Sequence, residues 1–245
     1  NTLAALPGDI AALGDAKLRV QFIKQASSAD IVRPRVMLAD GRSGRVQLIA
    51  GELESYAAIA DLKAEDLLAL RLPNATFVAE PVYLVCTNGQ RDLCCARFGL
   101  PLFEALRIEF GGRIWQTTHI GGHRYAPNLV CLPSGIVYGF VQPEQGPGVV
   151  AAHDRGELSL EHLRGRSCLP APAQAAEYFL RRANGDRQLR PPSLRELVQA
   201  NDITTARFTD GAVQVREVPL ADPVIASCDA AAKPASIFEE VSAGT

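Results

Sequence analysis

The sequence predicts a mixed α/β fold, because runs typical of buried strands alternate with stretches of helical periodicity. Residues 81–85 form a short apolar run of the kind found in buried strands. Residues 101–110 place four large apolar side chains on one helical face, which Gly111-Gly112 closes. Thr209-Asp210-Gly211 between two apolar runs is a strong hairpin signal. The chain has 245 residues, which is long enough to bury a sizeable core.

The other elements follow from similar signals along the chain. A strand, a turn and a second strand are expected over 36–50, and an amphipathic helix over 62–72. The apolar run ends at Cys86, and a polar loop over 87–92 follows it. Further signals predict a strand over 113–118, a hairpin over 129–141, a loop over 142–148, helices over 158–163 and 173–183, a helix behind the capping box at 193–196, a hairpin over 203–218, and a tail from 221 that is at best partly ordered.

Composition excludes several classes of protein. Lys and Arg number 25 and Asp and Glu 27, a formal charge of -2, whereas a nucleic-acid-binding protein normally has a basic surplus. No apolar run approaches the roughly 18 residues of a membrane span. The opening residues lack the basic region of a secretory signal. We therefore expect a cytoplasmic protein with no nucleic-acid or membrane partner.

Cysteines and histidines cluster in two short segments. Cys86, Cys94 and Cys95 lie within ten positions, which in such a chain favours metal or redox chemistry over disulfides. His119 and His123 are separated by three residues, two of them glycines, which allow a short loop to wrap an ion or cluster. Each segment follows a predicted strand. Two thiolates and two imidazoles form a complete set of metal ligands.

Two longer motifs contain these residues and resemble the signatures of the sucrase/ferredoxin-like proteins. The first motif covers 86–96 and the second covers 119–128, with continuations at 132–135 and 138–139. Order and spacing agree from about residue 77 to 141. Weaker similarity covers the helix from Ala173 and the Ser227-Cys228 segment.

The resemblance implies a thioredoxin-like ferredoxin domain with a [2Fe-2S] cluster, flanked by additional N-terminal and C-terminal α/β segments. The corresponding divisions are 1–76, 77–165 and 166–245. In ordinary members of that fold all four ligands are cysteines, and here two histidines replace the second pair. By motif position the implied cluster ligands are Cys86, Cys95, His119 and His123, and the pattern does not require Cys94.

The implied role is electron transfer or redox sensing rather than hydrolysis, since no paired-carboxylate motif supports a glycosidase. The chain has no Gly-rich fingerprint for a nicotinamide or flavin, so the redox partner, such as a reductase, is expected to be a separate protein. Arg91 and Arg124 either donate hydrogen bonds to cluster sulfurs or form structural ion pairs.

Two other interpretations use the same four side chains. A structural zinc site also takes two cysteines and two histidines, although the gap between Cys86 and Cys95 is longer than usual in zinc fingers. A thiol enzyme would use one of these cysteines as nucleophile and His119 or His123 as base. The second cysteine and the second histidine would then have no assigned role.

Overall fold

The computed structural model describes residues 18–25, 33–42, 45–91, 93–190, 193–225 and 231–241. The Ser227-Cys228 segment lies outside these ranges. Within them the strands are β1 (Ile23–Lys24), β2 (Arg35–Asp40), β3 (Gln47–Glu52), β4 (Thr76–Phe77), β5 (Val82–Cys86), β6 (Ile114–Thr117), β7 (Leu129–Leu132), β8 (Ile136–Tyr138), β9 (Leu163–Arg166), β10 (Leu194–Ala200), β11 (Ile203–Phe208), β12 (Gly211–Pro219) and β13 (Ser236–Glu240). The α-helices there are α1 (Ala64–Leu68), α2 (Leu93–Phe110), α3 (Gly146–Asp154) and α4 (Ala171–Asn184).

The central sheet has the strand order β1-β6-β5-β7-β8-β9. Strands β5 and β6 are parallel and joined through α2, whereas β7 and β8 form an antiparallel hairpin beside β5. This βαβ unit followed by a hairpin is the expected thioredoxin-like arrangement within an α/β fold. Every residue of β5 is buried, which explains its continuous apolar sequence, because a central strand is covered on both faces.

Helices α2 and α3 cover one face of the central sheet. Leu102, Phe103 and Leu106 of α2 pack with Val149 and Val150 of α3 in the main core. The small antiparallel sheet β2-β3-β4 contributes to a second cluster, in which Leu48 packs with buried residues of β5. The core therefore holds β5 and α2 in fixed positions relative to each other.

The C-terminal part forms an antiparallel sheet in the order β10-β11-β12-β13, against which α4 packs. A buried ion cluster joins α4 to the central sheet. The same Glu177 oxygen accepts hydrogen bonds from Arg166 Nε of β9 at 3.2 Å and from Arg181 Nε at 2.8 Å. All three side chains are almost completely buried.

Most predicted strands are confirmed, including β2 and β3, the strand ending at Cys86, and both hairpins. The helix predicted over 173–183 is α4, and Gly185 ends it in the left-handed conformation. The tail also contributes β13, which pairs with β12.

Three predicted helices differ from the structure. The one predicted over 158–163 is wrong, because a 3-10 turn over 160–162 leads into β9. The capping box at 193–196 precedes no helix, since β10 pairs there with β11, and tertiary pairing overrides local signals. The helix predicted over 62–72 is only the five residues of α1. The loop predicted over 142–148 ends early, because α3 already begins at Gly146.

Candidate metal centre

Two cysteines face each other where β5 and α2 meet. Cys86 is the last residue of β5 and Cys95 lies in the first turn of α2, and each side chain is only 1% exposed. The sequence analysis predicts helical periodicity only over 101–110, so the helix at Cys95 was not expected. Gly99 allows this approach, because a Cβ at that position would overlap the backbone carbonyl oxygen of Cys86. The glycine therefore brings the helix directly against the end of the strand.

The histidine loop lies beside Cys86 because β5 and β6 run parallel. Their register pairs Cys86 with Thr117, so the loop after β6 emerges at the same edge of the sheet. Gly121 and Gly122 adopt φ values of +82° and +66°, a region that glycine enters without steric cost. His123 then begins a short 3-10 helix over 123–125.

Three potential ligand atoms converge at this edge. The Sγ atoms of Cys86 and Cys95 and a ring nitrogen of His119 all lie within 4.8 Å of one another. The distance from Cys95 Sγ to His119 Nδ1 is 3.6 Å. The fourth predicted ligand, His123, stands next to this group, with its ring centroid 5.4 Å from that of His119 and its Nδ1 atom buried. Soft sulfur and imidazole donors of this kind fit zinc or an iron–sulfur cluster.

The surroundings favour the charged form of one thiol. A hydrogen bond with Cys95 is the largest of the effects that hold the pKa of Cys86 below its ordinary value. Backbone donors at Ile120 and Asn88 and the charge of Arg19 act in the same direction, while burial opposes them. Thiolates are the metal-binding form of cysteine, so this environment prepares Cys86 to act as a ligand.

The remaining described cysteines are placed differently. Cys94 is disulfide-bonded, a feature that the sequence analysis did not predict. Cys131 is fully buried in the core, where burial raises the pKa of its thiol. Cys168 is exposed and lies beside the backbone of Gly41. Among the described residues, the cysteine sulfurs that lie at the histidine loop are therefore those of Cys86 and Cys95.

Two arginines distant in sequence support the histidine loop, and sequence reasoning missed both of them. Arg164 Nη1 donates to Asn128 Oδ1 at 2.8 Å, and Asn128 Nδ2 donates to the carbonyl of Gly122 at 3.1 Å. Burial lowers the pKa of Arg164. Arg19 donates to the carbonyl oxygen of Ile120. Nothing in the local pattern of β9 marks Arg164 as a neighbour of a loop about forty residues earlier.

The fold and the site define a thioredoxin-like α/β protein with a candidate metal centre at one edge of its central sheet. The model of the family described as sucrase/ferredoxin-like matches residues 16–165. The chain belongs to this family.

Comparison with curated proteins finds relatives in two yeasts. "Altered inheritance of mitochondria protein 32" of Debaryomyces hansenii is 32% identical over 83 residues, which cover 30% of this chain and 30% of that protein. The protein of the same name from Meyerozyma guilliermondii is 34% identical over 87 residues, covering 30% of this chain and 29% of that protein. The match thus spans less than a third of the length of these relatives.

Solved structures of the thioredoxin-like [2Fe-2S] ferredoxin from Aquifex aeolicus also match. One is 22% identical and covers 38% of this chain and 97% of that chain, with a TM-score of 0.33. A variant of the same ferredoxin is 21% identical and covers 36% of this chain and 100% of that chain, also with a TM-score of 0.33.

Within the described ranges of our protein, none of the helices has both the length and the apolar character needed to cross a membrane.

Proposed function

We propose that this protein transfers electrons, or senses redox state, through a [2Fe-2S] cluster held by Cys86, Cys95, His119 and His123. The observation that carries the proposal is the convergence of two buried thiols and one imidazole within 4.8 Å, with the second imidazole alongside. A bound cluster of this type supplies one-electron chemistry. The role of the protein is to bind the cluster and to provide the environment around it.

The residues around the sulfurs exclude water. Ile120 packs with Cys86 and Cys95 in one buried cluster, and Val130 and Val137 close its sides. Hydrogen bonds to ligand sulfurs and the low polarity of such a shell both tune a metal centre. The backbone N–H groups of Asn88 and Ile120 are positioned to donate to the sulfur of Cys86.

Imidazole ligands imply a higher reduction potential than four thiolates would give. Two neutral imidazoles remove two negative charges from around the cluster, so an electron is added against less repulsion. Clusters with two histidine ligands in Rieske centres have potentials of about -150 to +300 mV, against about -400 mV for plant-type ferredoxins. We expect this protein to lie between those classes.

The spectrum of freshly purified protein tests the proposal. We expect a coloured protein with about two iron atoms and about two acid-labile sulfides per chain, and an electron paramagnetic resonance signal on reduction. A colourless protein with stoichiometric zinc, even after anaerobic reconstitution with iron and sulfide, would contradict it and favour the structural zinc site.

A second candidate is a thiol enzyme, favoured by the 3.6 Å distance between Cys95 Sγ and His119 Nδ1, which suits a thiol and its base. Burial of Cys95 at 1% exposure opposes attack on a substrate of any size. Rapid alkylation of Cys95 by a bulky reagent in the metal-loaded protein would support this candidate over electron transfer.

A cytoplasmic location and a separate redox partner protein, such as a reductase, complete the proposal. The redox state of Cys94 in cells tests the location, because the cytoplasm keeps most protein thiols reduced. Although Cys94 is disulfide-bonded in the structure, we expect that bond to be reduced in the cytoplasm, so that Cys94 reacts with a thiol reagent in rapidly quenched cells. Full protection of this residue, released only by a reductant, would contradict a cytoplasmic location.

A further inference from the structure

Three arginines surround the histidine loop. Arg19 and Arg164 donate to backbone carbonyls within the loop, and Arg124 follows His123 directly. Elsewhere arginines such as Arg107 pair with Asp or Glu. In the part of the chain that the structure describes, none of the three loop arginines forms such an ion pair. Three positive charges therefore stand together on a protein whose formal charge is -2.

Two aromatic rings complete this surface. The guanidinium carbons of Arg124 and Arg164 lie 4.6 and 4.7 Å from the ring centroid of Tyr125. The ring of Phe140 packs edge-on against Tyr125, with centroids 5.5 Å apart. We call Arg19, Arg124, Tyr125, Phe140 and the half-buried Arg164 the arginine surface.

Phe140 is held in an unusual conformation on this surface. Its φ is +56° and its side chain is 53% exposed, although a left-handed backbone is sterically unfavourable for a residue that carries a Cβ atom. A hydrogen bond from its N–H to the carbonyl of Tyr125, 2.7 Å long, maintains this position. Backbone strain of this kind concentrates at functional sites, and exposing a large aromatic ring gains nothing in stability.

We propose that the arginine surface is the docking site for an acidic redox partner protein, which it brings beside His119 and His123. The inference rests on the proposed electron-transfer function. Arginine and aromatic residues are enriched at protein interfaces and carry much of their binding energy. Complementary charge also steers and orients the approach of a partner. The net negative charge of the whole chain would otherwise repel such a partner.

Small oxidants of opposite charge test the local field. A bound cluster that has taken one electron from dithionite would pass that electron to ferricyanide, a trivalent anion, or to hexaammineruthenium(III), a trivalent cation. We expect the rate constant for ferricyanide to fall as ionic strength rises from about 0.01 to about 1 M, over which the Debye length shrinks from about 30 to about 3 Å. The opposite trend, with ruthenium slowed by salt, would show that the net charge governs approach and would overturn the proposal.

Two arginine substitutions with the same change in net charge sharpen the test. Arg124→Gln should lower the ferricyanide rate at low salt about threefold or more, since a local field of this kind changes association rates by factors of 10 to 10³. Arg107→Gln removes an exposed arginine that pairs with Glu104 on α2 and should leave the rate unchanged. Equal effects of both substitutions would refute a specific role of the arginine surface.

A redox-inert anion separates this proposal from the proposed function. Hexacyanocobaltate(III) is titrated by calorimetry into the full chain as purified, whatever metal it holds. Binding that Arg124→Gln abolishes and Arg107→Gln preserves would support the surface even if no cluster assembles. If a protein that carries the cluster does not bind hexacyanocobaltate(III), the arginine surface is not a docking site, and the electron-transfer proposal is unaffected.

The class of partner is tested with two polyanions. Polyglutamate should bind more tightly than an oligonucleotide of equal charge, and the reverse order would refute a protein partner.

Discussion

The contact between Gly99 and the end of β5 gives a sharp test of how the metal centre is built. A Cβ at position 99 would overlap the carbonyl oxygen of Cys86. Close C–H···O contacts have C···O separations of about 3.3–3.6 Å, so Gly99→Ala must move α2 about 1 Å away from β5. Cys95 lies one turn earlier on α2 and moves with it. We therefore expect Gly99→Ala to weaken metal binding as well as the fold.

The size of the effect follows from two opposing contributions. Alanine in a helix is favoured over glycine by about 1 kcal/mol, whereas overpacking a filled interior costs about 1–3 kcal/mol. Gly148 of α3 is a matched control, since a Cβ there would meet nothing within 4 Å and only the favourable contribution remains. Gly99→Ala should thus be less stable than Gly148→Ala by about 1–3 kcal/mol.

Urea unfolding of both variants measures the difference in free energy, and iron and zinc analysis measures metal retention. Gly148→Ala should hold its metal like the wild-type protein, whereas Gly99→Ala should lose most of it. If Gly99→Ala proves as stable as Gly148→Ala and keeps its metal, the tight contact does not position Cys95.

Three further predictions concern the thiols, a buried histidine and the ion cluster. Cys95→Ser should lose the metal and its spectrum, whereas Cys94→Ser should keep both; the reverse result would exchange their roles. Burial lowers the pKa of His153 from 6.5 to about 4, so between those pH values the unfolded chain binds a proton that the folded chain does not. Stability should therefore fall by up to about 3 kcal/mol as pH drops through this window, and urea midpoints that stay level would contradict this. Glu177→Gln should cost about 3–5 kcal/mol because it leaves buried arginines uncompensated. Glu196→Gln, in an exposed pair, should cost less than about 1 kcal/mol, and similar unfolding free energies for the two variants would refute the reasoning.

The central strands could be predicted from sequence because their signals are local. The strand ending at Cys86 is a continuous apolar run, and burial on both faces requires no more than that. The start of α2 was missed because Gly99 and Pro101 interrupt the helical pattern. Pro101 is nevertheless inside the helix. The sequence therefore did not predict a helix at Cys95, although it did predict that Cys95 lies close to the histidine motif.

The remaining features of the fold and the site depend on contacts between residues distant in sequence. Residues 146–148 have the composition of a loop, yet proline fits the first turn of a helix, and packing against α2 stabilises α3. The site residues given by motif position stand at one edge of the sheet as a group. Arg19 and Arg164 reach the same edge through strand pairing. Such pairing cannot be predicted from the residues next to each arginine in the sequence.

The buried ion cluster of Arg166, Glu177 and Arg181 limits where the chain can be truncated without loosening the site. The family match ends at residue 165, inside β9, and Arg166 of that strand is anchored to Glu177 of the next helix. Arg164, two residues earlier on the same strand, supports the histidine loop. A chain cut at the end of the family match would lose the charge partner of β9 and loosen the strand that carries Arg164. The smallest working unit of this protein therefore extends at least through α4, beyond the segment by which its family is defined.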